Sequence, residues 1–213
     1  MSVLAPNKYA LALHTSTPQL GIAIADFAGD RRSQVWDLGR GLASQLHRHL
    51  AEMLAPQTWQ DLEFVAVAQG PGGFTGTRVG VVTARTIAQQ LEIPLFGISN
   101  LAAIAAAEST AQPGYYALQM DARRGQLFVA IYQVSNQGVQ TYLADTLMTI
   151  EGWQKTLAEL PFAYQLLIAD NQTASTVTSI LDLAYGFWQE GQRPYWSEIV
   201  PFYGQNPVVP NSV

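Results

Sequence analysis

The chain contains no cysteine. That excludes disulfides, thiolate nucleophiles and Cys-based zinc sites, and it fits a reducing compartment. Charge is scarce as well: Asp, Glu, Lys and Arg make up 13% of the residues, against roughly 25% in an average soluble domain. The little charge present leans acidic, with 11 Lys and Arg against 16 Asp and Glu and a formal net charge of −5. Binding a nucleic-acid backbone needs a basic footprint, and the doublets Arg31–Arg32 and Arg123–Arg124 are too small to supply one. Long apolar runs are missing too. The longest, Leu101 to Ala107, falls far short of the roughly 20 residues that a membrane span requires. The opening stretch MSVLAPNKYALALHTS lacks the charged, apolar and small-residue succession of a secretion signal, so a cytoplasmic protein is expected. Histidine is rare, and His47 and His49 fall about 200° apart around a helix, which rules out a shared ion. Both read as surface positions, and no metal site is expected.

What the chain does have is apolar residues, 48% of its 213, enough for one compact domain or two lobes with a sizeable core. A surface this poor in charge is suited to partner binding. Along the chain, Tyr9–Leu13, Gly21–Asp26 and Ser33–Leu38 read as strands. Ala43–Leu54 switches to helical spacing, with Leu42, Leu46, Leu50, Met53 and Leu54 on one stripe and Pro56 as a stop. The strand Phe64–Ala68 runs into the loop Gly-Pro-Gly-Gly-Phe-Thr-Gly (70–76) and a second helix, Thr77–Leu91. Leu95–Ile98 is a short strand, and Asn100 caps an alanine-rich helix that reaches Glu108. Then the pattern restarts. Tyr116–Asp121, Gln126–Val134 and Val139–Ala144 read as strands around turns at Ala122–Gly125 and Asn136–Gly138. Helix Glu151–Leu160, strand Gln165–Asp170 and helix Ala174–Glu190 follow. Each half contains the succession βββαβα, joined near Gln112–Gly114. The expected fold is therefore α/β, a duplicated ribonuclease-H-like fold of the actin-like ATPase (ASKHA) kind. Residues 1–112 are expected to form the first lobe, 113–200 the second, and 201–213 an extended Pro-rich tail.

In such a fold the first hairpin of each lobe faces the cleft, and an acid at each strand end holds metal or positions a water. The first lobe has His14 at that place, which reads as a satisfied strand-end histidine rather than a cation ligand. Thr15 and Ser16 read as turn formers, because no partnering base is evident. The second lobe keeps an acid, Asp121, ahead of Ala122-Arg123-Arg124-Gly125, where fixing the turn or bridging lobes is favoured over catalysis. No Ser/His/Asp set assembles. Gly72, Gly73, Thr75, Gly76 and Arg78 form a candidate anion cradle where the loop opens a helix. Yet Walker A would need a lysine, and the dinucleotide pattern would need a glycine in place of Thr75. A tight structural turn is an equal reading of that loop. On the second helix Gly80, Ala84 and Ala88 recur every four residues, a bare face beside Leu46, Leu50 and Met53 on the first. Those six residues are either a docking surface or packing on their own sheet.

Three stretches resemble a known family. GPGGFTGTRVGVVTARTIA (70–88) is similar to the signature of the bacterial TsaB (YeaZ) proteins, MDARRGQLFVAIY (120–132) to their second-lobe hairpin, and ALALHTSTPQLGIAI (10–24) to their first. The likeness runs from about residue 9 to 170. It implies a non-catalytic dimerisation subunit of the complex that adds threonylcarbamoyl to adenosine 37 (t6A) of ANN-decoding tRNAs. It implies two protein partners, a TsaD-like transferase and a TsaE-like P-loop ATPase, with a homodimer in isolation and tRNA reached only indirectly. The chain would need no cofactor of its own, ATP and a divalent metal being used by the partner subunits. The first two helices would carry the docking surface. His14 departs from the family's usual Asp at that strand end, and Tyr203-Gly204-Gln205 from its usual Tyr-Leu-Arg. The alternative is an actin-fold ATPase or small-molecule kinase; a metallopeptidase lacks a ligand pair.

Overall fold

The structure is a computed structural model, and it describes residues 4–108, 112–135, 138–170 and 173–204. Its first half runs β1 (Tyr9–His14), β2 (Gln19–Ala25), β3 (Arg31–Asp37), α1 (Leu42–Leu54), β4 (Leu62–Gly70), α2 (Phe74–Leu91), β5 (Leu95–Ser99) and α3 (Asn100–Glu108). The second runs β6 (Gly114–Arg123), β7 (Gln126–Ser135), β8 (Gly138–Thr149), α4 (Ile150–Ala158), β9 (Tyr164–Ala169) and α5 (Val177–Gln189). Strand β8 extends five residues past the expected end at Ala144, up to Thr149, whose hydroxyl caps α4 by accepting the Gly152 N–H at 3.0 Å. The expected turn at residues 136–137 and the tail from 205 on lie outside the described residues.

Strand order is β3-β2-β1-β4-β5 in the first sheet and β8-β7-β6-β9 in the second. In each, an antiparallel hairpin lies beside a parallel crossover strand, so the first four strands of both sheets share one plan. The duplicated ribonuclease-H-like architecture is thereby present. The registers align it residue by residue. Leu13 lies between Ile22 and Val67, as Met120 lies between Phe128 and Ala169. His14 and Asp121, one residue on, therefore hold equivalent strand-end positions.

The apolar stripes decide the packing. Central strands β1 and β4 are buried on both faces, as near-continuous apolar runs in a partly parallel sheet must be. One face of the first sheet is covered by α1 and α2, through Leu46, Leu50, Met53, Val81, Ala84 and Ala88. The other is covered by α5, with Val177, Ile180, Leu181, Ala184 and Trp188. Conversely, Leu101 and Ala105 of α3 pack on the second sheet against Tyr116, Leu118 and Tyr132. Each half thus lends a helix to the other's sheet. A half-buried polar link crosses the same boundary: Asp145 of β8 accepts hydrogen bonds from Ser99 of β5 and Tyr132 of β7, both at 2.5 Å. Burial pushes the Asp145 carboxyl up from its ordinary range.

Candidate interlobe site and docking face

At the end of β1, His14 is fully buried, with Nε2 3.3 Å from the Thr173 hydroxyl. Burial pushes its pKa down to about 4, because a charged imidazole would lose its hydration. It is neutral at physiological pH. The expectation of a satisfied histidine holds only for one nitrogen, since Nδ1 has no hydrogen-bond partner among the described residues. Asp121, its counterpart, is exposed and accepts the backbone N–H of Arg123 at 2.7 Å. That bond fixes a turn in which Arg123, Arg124 and Gly125 all have positive φ, 66°, 53° and 73°. Neither guanidinium of the doublet pairs with Asp121 among the described residues; the carboxylate holds backbone instead.

The glycine loop is shaped by what it touches. The Gly73 N–H donates to the Ser16 carbonyl at 2.7 Å, and the Thr15 hydroxyl donates to the Gly76 carbonyl at 2.8 Å. A Cβ on Gly76 would overlap the Thr15 carbonyl oxygen, and one on Gly80 the Thr15 hydroxyl. One on Gly72 would come within 2.6 Å of the Ser16 carbonyl. These glycines let the start of α2 lie directly on the first hairpin. Of the candidate cradle, Gly73 has spent its N–H on the hairpin and Gly72 faces a separate recess of about 340 Å³ shared with Asp121 and Tyr203. Arg78 lies over the Phe74 ring at 5.3 Å, and the neighbouring pocket is lined by other cations, Arg40 and Arg123. Thr75 and Gly76 do line that pocket. Arg40 escaped the sequence reading although its Gly-Arg-Gly setting before a helix was visible. Arg123 reaches the pocket from the other lobe, which only the fold reveals.

The helix face expected to dock needs correction. Leu46, Leu50, Met53, Gly80, Ala84 and Ala88 are all buried in the chain's own structure, five of them in the core cluster under the first sheet and Gly80 against Thr15. The small residues admit their own hairpin and sheet, so they leave no surface for another chain. What α1 and α2 show to solvent is the opposite side. There a groove of about 450 Å³ runs between them, lined by His47, Leu50, Trp59, Val82, Thr83, Thr86 and Ile87, so that of the six expected residues Leu50 borders it from below while Val82 is 59% exposed. His49, expected at the surface with His47, is buried, stacked on Trp36 and 3.1 Å from Glu52. Among the described residues no group of three or more His, Asp or Glu is placed to hold a metal ion.

Comparison with known proteins bears on this geometry. A family model described as TsaD, tRNA N6-adenosine threonylcarbamoyltransferase, matches residues 40–187. A Bacillus subtilis protein named tRNA threonylcarbamoyladenosine biosynthesis protein TsaB is 37% identical over 100 residues, 47% of this chain and 43% of that one. The Escherichia coli protein of the same name is 34% identical over 80 residues, 37% of this chain and 35% of its own. The chain belongs to the TsaD-type family, on its TsaB (YeaZ) branch. The matches span less than half the length of those two curated relatives. A solved structure of YeaZ from Pseudomonas aeruginosa superposes with a TM-score of 0.75 at 22% identity, covering 92% of this chain and 99% of that one. That likeness fixes the fold. No helix among the described residues is long and apolar enough to cross a membrane.

Proposed function

We propose that the chain is a docking subunit of the machinery that forms threonylcarbamoyladenosine at position 37 of ANN-decoding tRNAs. The observation that carries this reading is the exchange of an acid for His14. An imidazole that is fully buried and neutral stands where Asp121 stands in the other lobe. It offers no anionic oxygen to a hard cation in the cleft. Transfer then belongs to a TsaD-like partner, which supplies ATP chemistry and any divalent metal, with a TsaE-like P-loop ATPase joining the pair. In this reading tRNA is met through the partners, in keeping with a net charge of −5.

The outward groove between α1 and α2 is the docking face that fits best. Its exposed Val82 and half-buried Ile87 and Trp59 give an apolar strip that a paralogous pair of helices would cover. A second copy would use the same strip when the partner is absent. The test is size-exclusion chromatography with a purified TsaD-like protein, comparing the wild type with Val82→Glu. The variant should fold normally, because its side chain is solvated, and should weaken association by tenfold or more. Undiminished co-elution would place the interface elsewhere. ATP turnover by the isolated chain, abolished by Asp121→Asn, would overturn the docking reading and favour an actin-fold ATPase or kinase.

A further inference from the structure

We infer that β9 is a self-association edge, where a second copy of the chain pairs its own β9 antiparallel across a two-fold axis. The edges of the two sheets are β3, β5, β8 and β9. An open strand edge is a template for further pairing, and proteins guard it with charge, irregularity or cover. Three of these edges are guarded. Strand β3 carries Arg31, Arg32 and Asp37. Strand β5 is covered, its Leu95 N–H donating to the Pro194 carbonyl at 3.3 Å. Strand β8 shifts register against β7 and turns Asp145 toward Ser99. Strand β9, Tyr-Gln-Leu-Leu-Ile-Ala, has no charge and no proline and runs in unbroken register with β6. Among the described residues no strand lies on its other side. The equivalent place beside β4 in the first sheet is filled by β5.

The side chains select the occupant. Register with β6 sets Tyr164, Leu166 and Ile168 on the face of Ala117, which packs with Trp153 of α4. They lie beside that helix uncovered, 37%, 45% and 73% exposed. The outward N–H and C=O groups of the edge call for another extended strand. Residues 205–213 are one source, but Pro207 and Pro210 stand an odd number of residues apart. In any register one of them would therefore turn a nitrogen without a proton toward β9. A second β9 has no such defect and is self-complementary. With Leu166 opposite Leu166 at the axis, Tyr164 of each copy faces Ile168 of the other, an aromatic and β-branched pair that favours cross-strand contact. Since the strand carries no charge, the pairing sets no like charges against each other. A contact of one strand and three apolar side chains per copy is at the small end of specific interfaces, which makes the dimer reversible. It belongs to the second lobe and does not use the α1–α2 groove.

Oxidative cross-linking of the full chain tests this, because the chain has no cysteine of its own. In this register the two copies of residue 166 stand about 5 Å apart at Cα, within disulfide reach. The two copies of residue 165 stand roughly 8 Å apart, beyond it. At about 100 µM, Leu166→Cys should give a covalent dimer on non-reducing electrophoresis, and Gln165→Cys, also exposed, about tenfold less. Adding Ile168→Lys, which supplies the charge that this edge lacks, should cut the Leu166→Cys yield about tenfold. Adding Val82→Glu should leave that yield unchanged, so failure of this edge and failure of the α1–α2 docking face read separately. Circular dichroism checks that each variant is folded. Monomer alone from a folded Leu166→Cys, an equal yield from Gln165→Cys, or indifference to Ile168→Lys would overturn the pairing. A cross-link lost with Val82→Glu would overturn it too, by assigning the encounter to the groove.

Discussion

The two first hairpins descend from one plan and have been put to opposite uses. The β1–β2 turn is sealed: His14 and Thr15 are inaccessible, Ser16 is nearly so, and the α2 glycines press on it. The β6–β7 turn is open, with Asp121, Arg123 and Arg124 in solvent and the backbone held in the left-handed region. The same contrast holds for the sheets. The first has helices on both faces and five strands. The second ends at β9, where Ile168 is 73% and Leu166 45% exposed. The first lobe is thus a closely packed core that sets α1 and α2 in place.

Substitutions of matched chemistry in the two settings should separate by size. The largest effect is expected at the sealed side. Leu50 is 1% exposed within the first-lobe core, and Leu50→Glu would bury a carboxylate there while deleting apolar contact. The cost is about 5 kcal/mol, comparable to the whole stability of a small domain. Urea denaturation monitored by circular dichroism should find the variant unfolded or nearly so, with Ala84→Arg alike and Val82→Glu close to wild type. A stably folded Leu50→Glu would mean that α1 is not anchored as described.

Next comes the contact between loop and hairpin. Gly76→Ala forces a methyl group onto the Thr15 carbonyl, a backbone atom that cannot rotate away. Overpacking of this kind costs about 3 kcal/mol. Gly186→Ala in α5, where a Cβ would meet nothing within 4 Å among the described residues, should be neutral or slightly stabilising. A shift in urea midpoint at constant slope would report the difference.

The third effect depends on pH. His14 has its folded pKa lowered to about 4, against about 6.5 when unfolded. The unfolded chain therefore takes up a proton first as pH falls. Stability from this group is complete above about pH 6.5, declines between 6.5 and 4, and amounts to a loss of about 2 kcal/mol at pH 5. Asp145, whose carboxyl is raised, contributes with opposite sign as it gains its proton in the folded state first. Stability measured from pH 8 to 5 should fall less steeply in His14→Gln than in the wild type. Parallel curves would show that the imidazole is hydrated after all.

Much of this was legible in the residues. Alternation and apolar runs located the strands, because burial leaves period two or an unbroken run. The repeat of βββαβα gave the duplication, and the strand-end comparison of His14 with Asp121 followed from it. The direction of the α1 and α2 stripes was not legible. Leu46, Leu50 and Met53 announce that one side of a helix is covered, and the same pattern serves a sheet or a partner. Gly80, Ala84 and Ala88 likewise announce close approach without naming what approaches. Nor could the exchange of α3 and α5 between the sheets be read, since each is apolar enough to cover either. The pocket at the start of α2 was half visible. Its glycines stand in one stretch of sequence, but Ser16, Arg40 and Arg123 join it from three others.

The smallest expected effect tests the open hairpin. Asp121 is exposed, and its one described hydrogen bond is to the Arg123 N–H two residues on. An Asn side chain offers a carbonyl oxygen at the same place and tolerates the same turn. Asp121→Asn should therefore shift stability by less than about 0.5 kcal/mol, as surface changes that preserve their contact do. Asp121→Ala leaves the N–H to water and gives up the turn-forming side chain, costing about 1 kcal/mol. The order Asn above Ala is the useful part. If the carboxylate served only as a local acceptor, charge would be irrelevant and the two variants would differ in just this way. If instead Asp121 works as an anion, toward the neighbouring Arg123 guanidinium or a bound cation, then Asn would fall to the level of Ala. A pair of thermal melts decides between a turn that keeps its acid for shape and one that keeps it for charge.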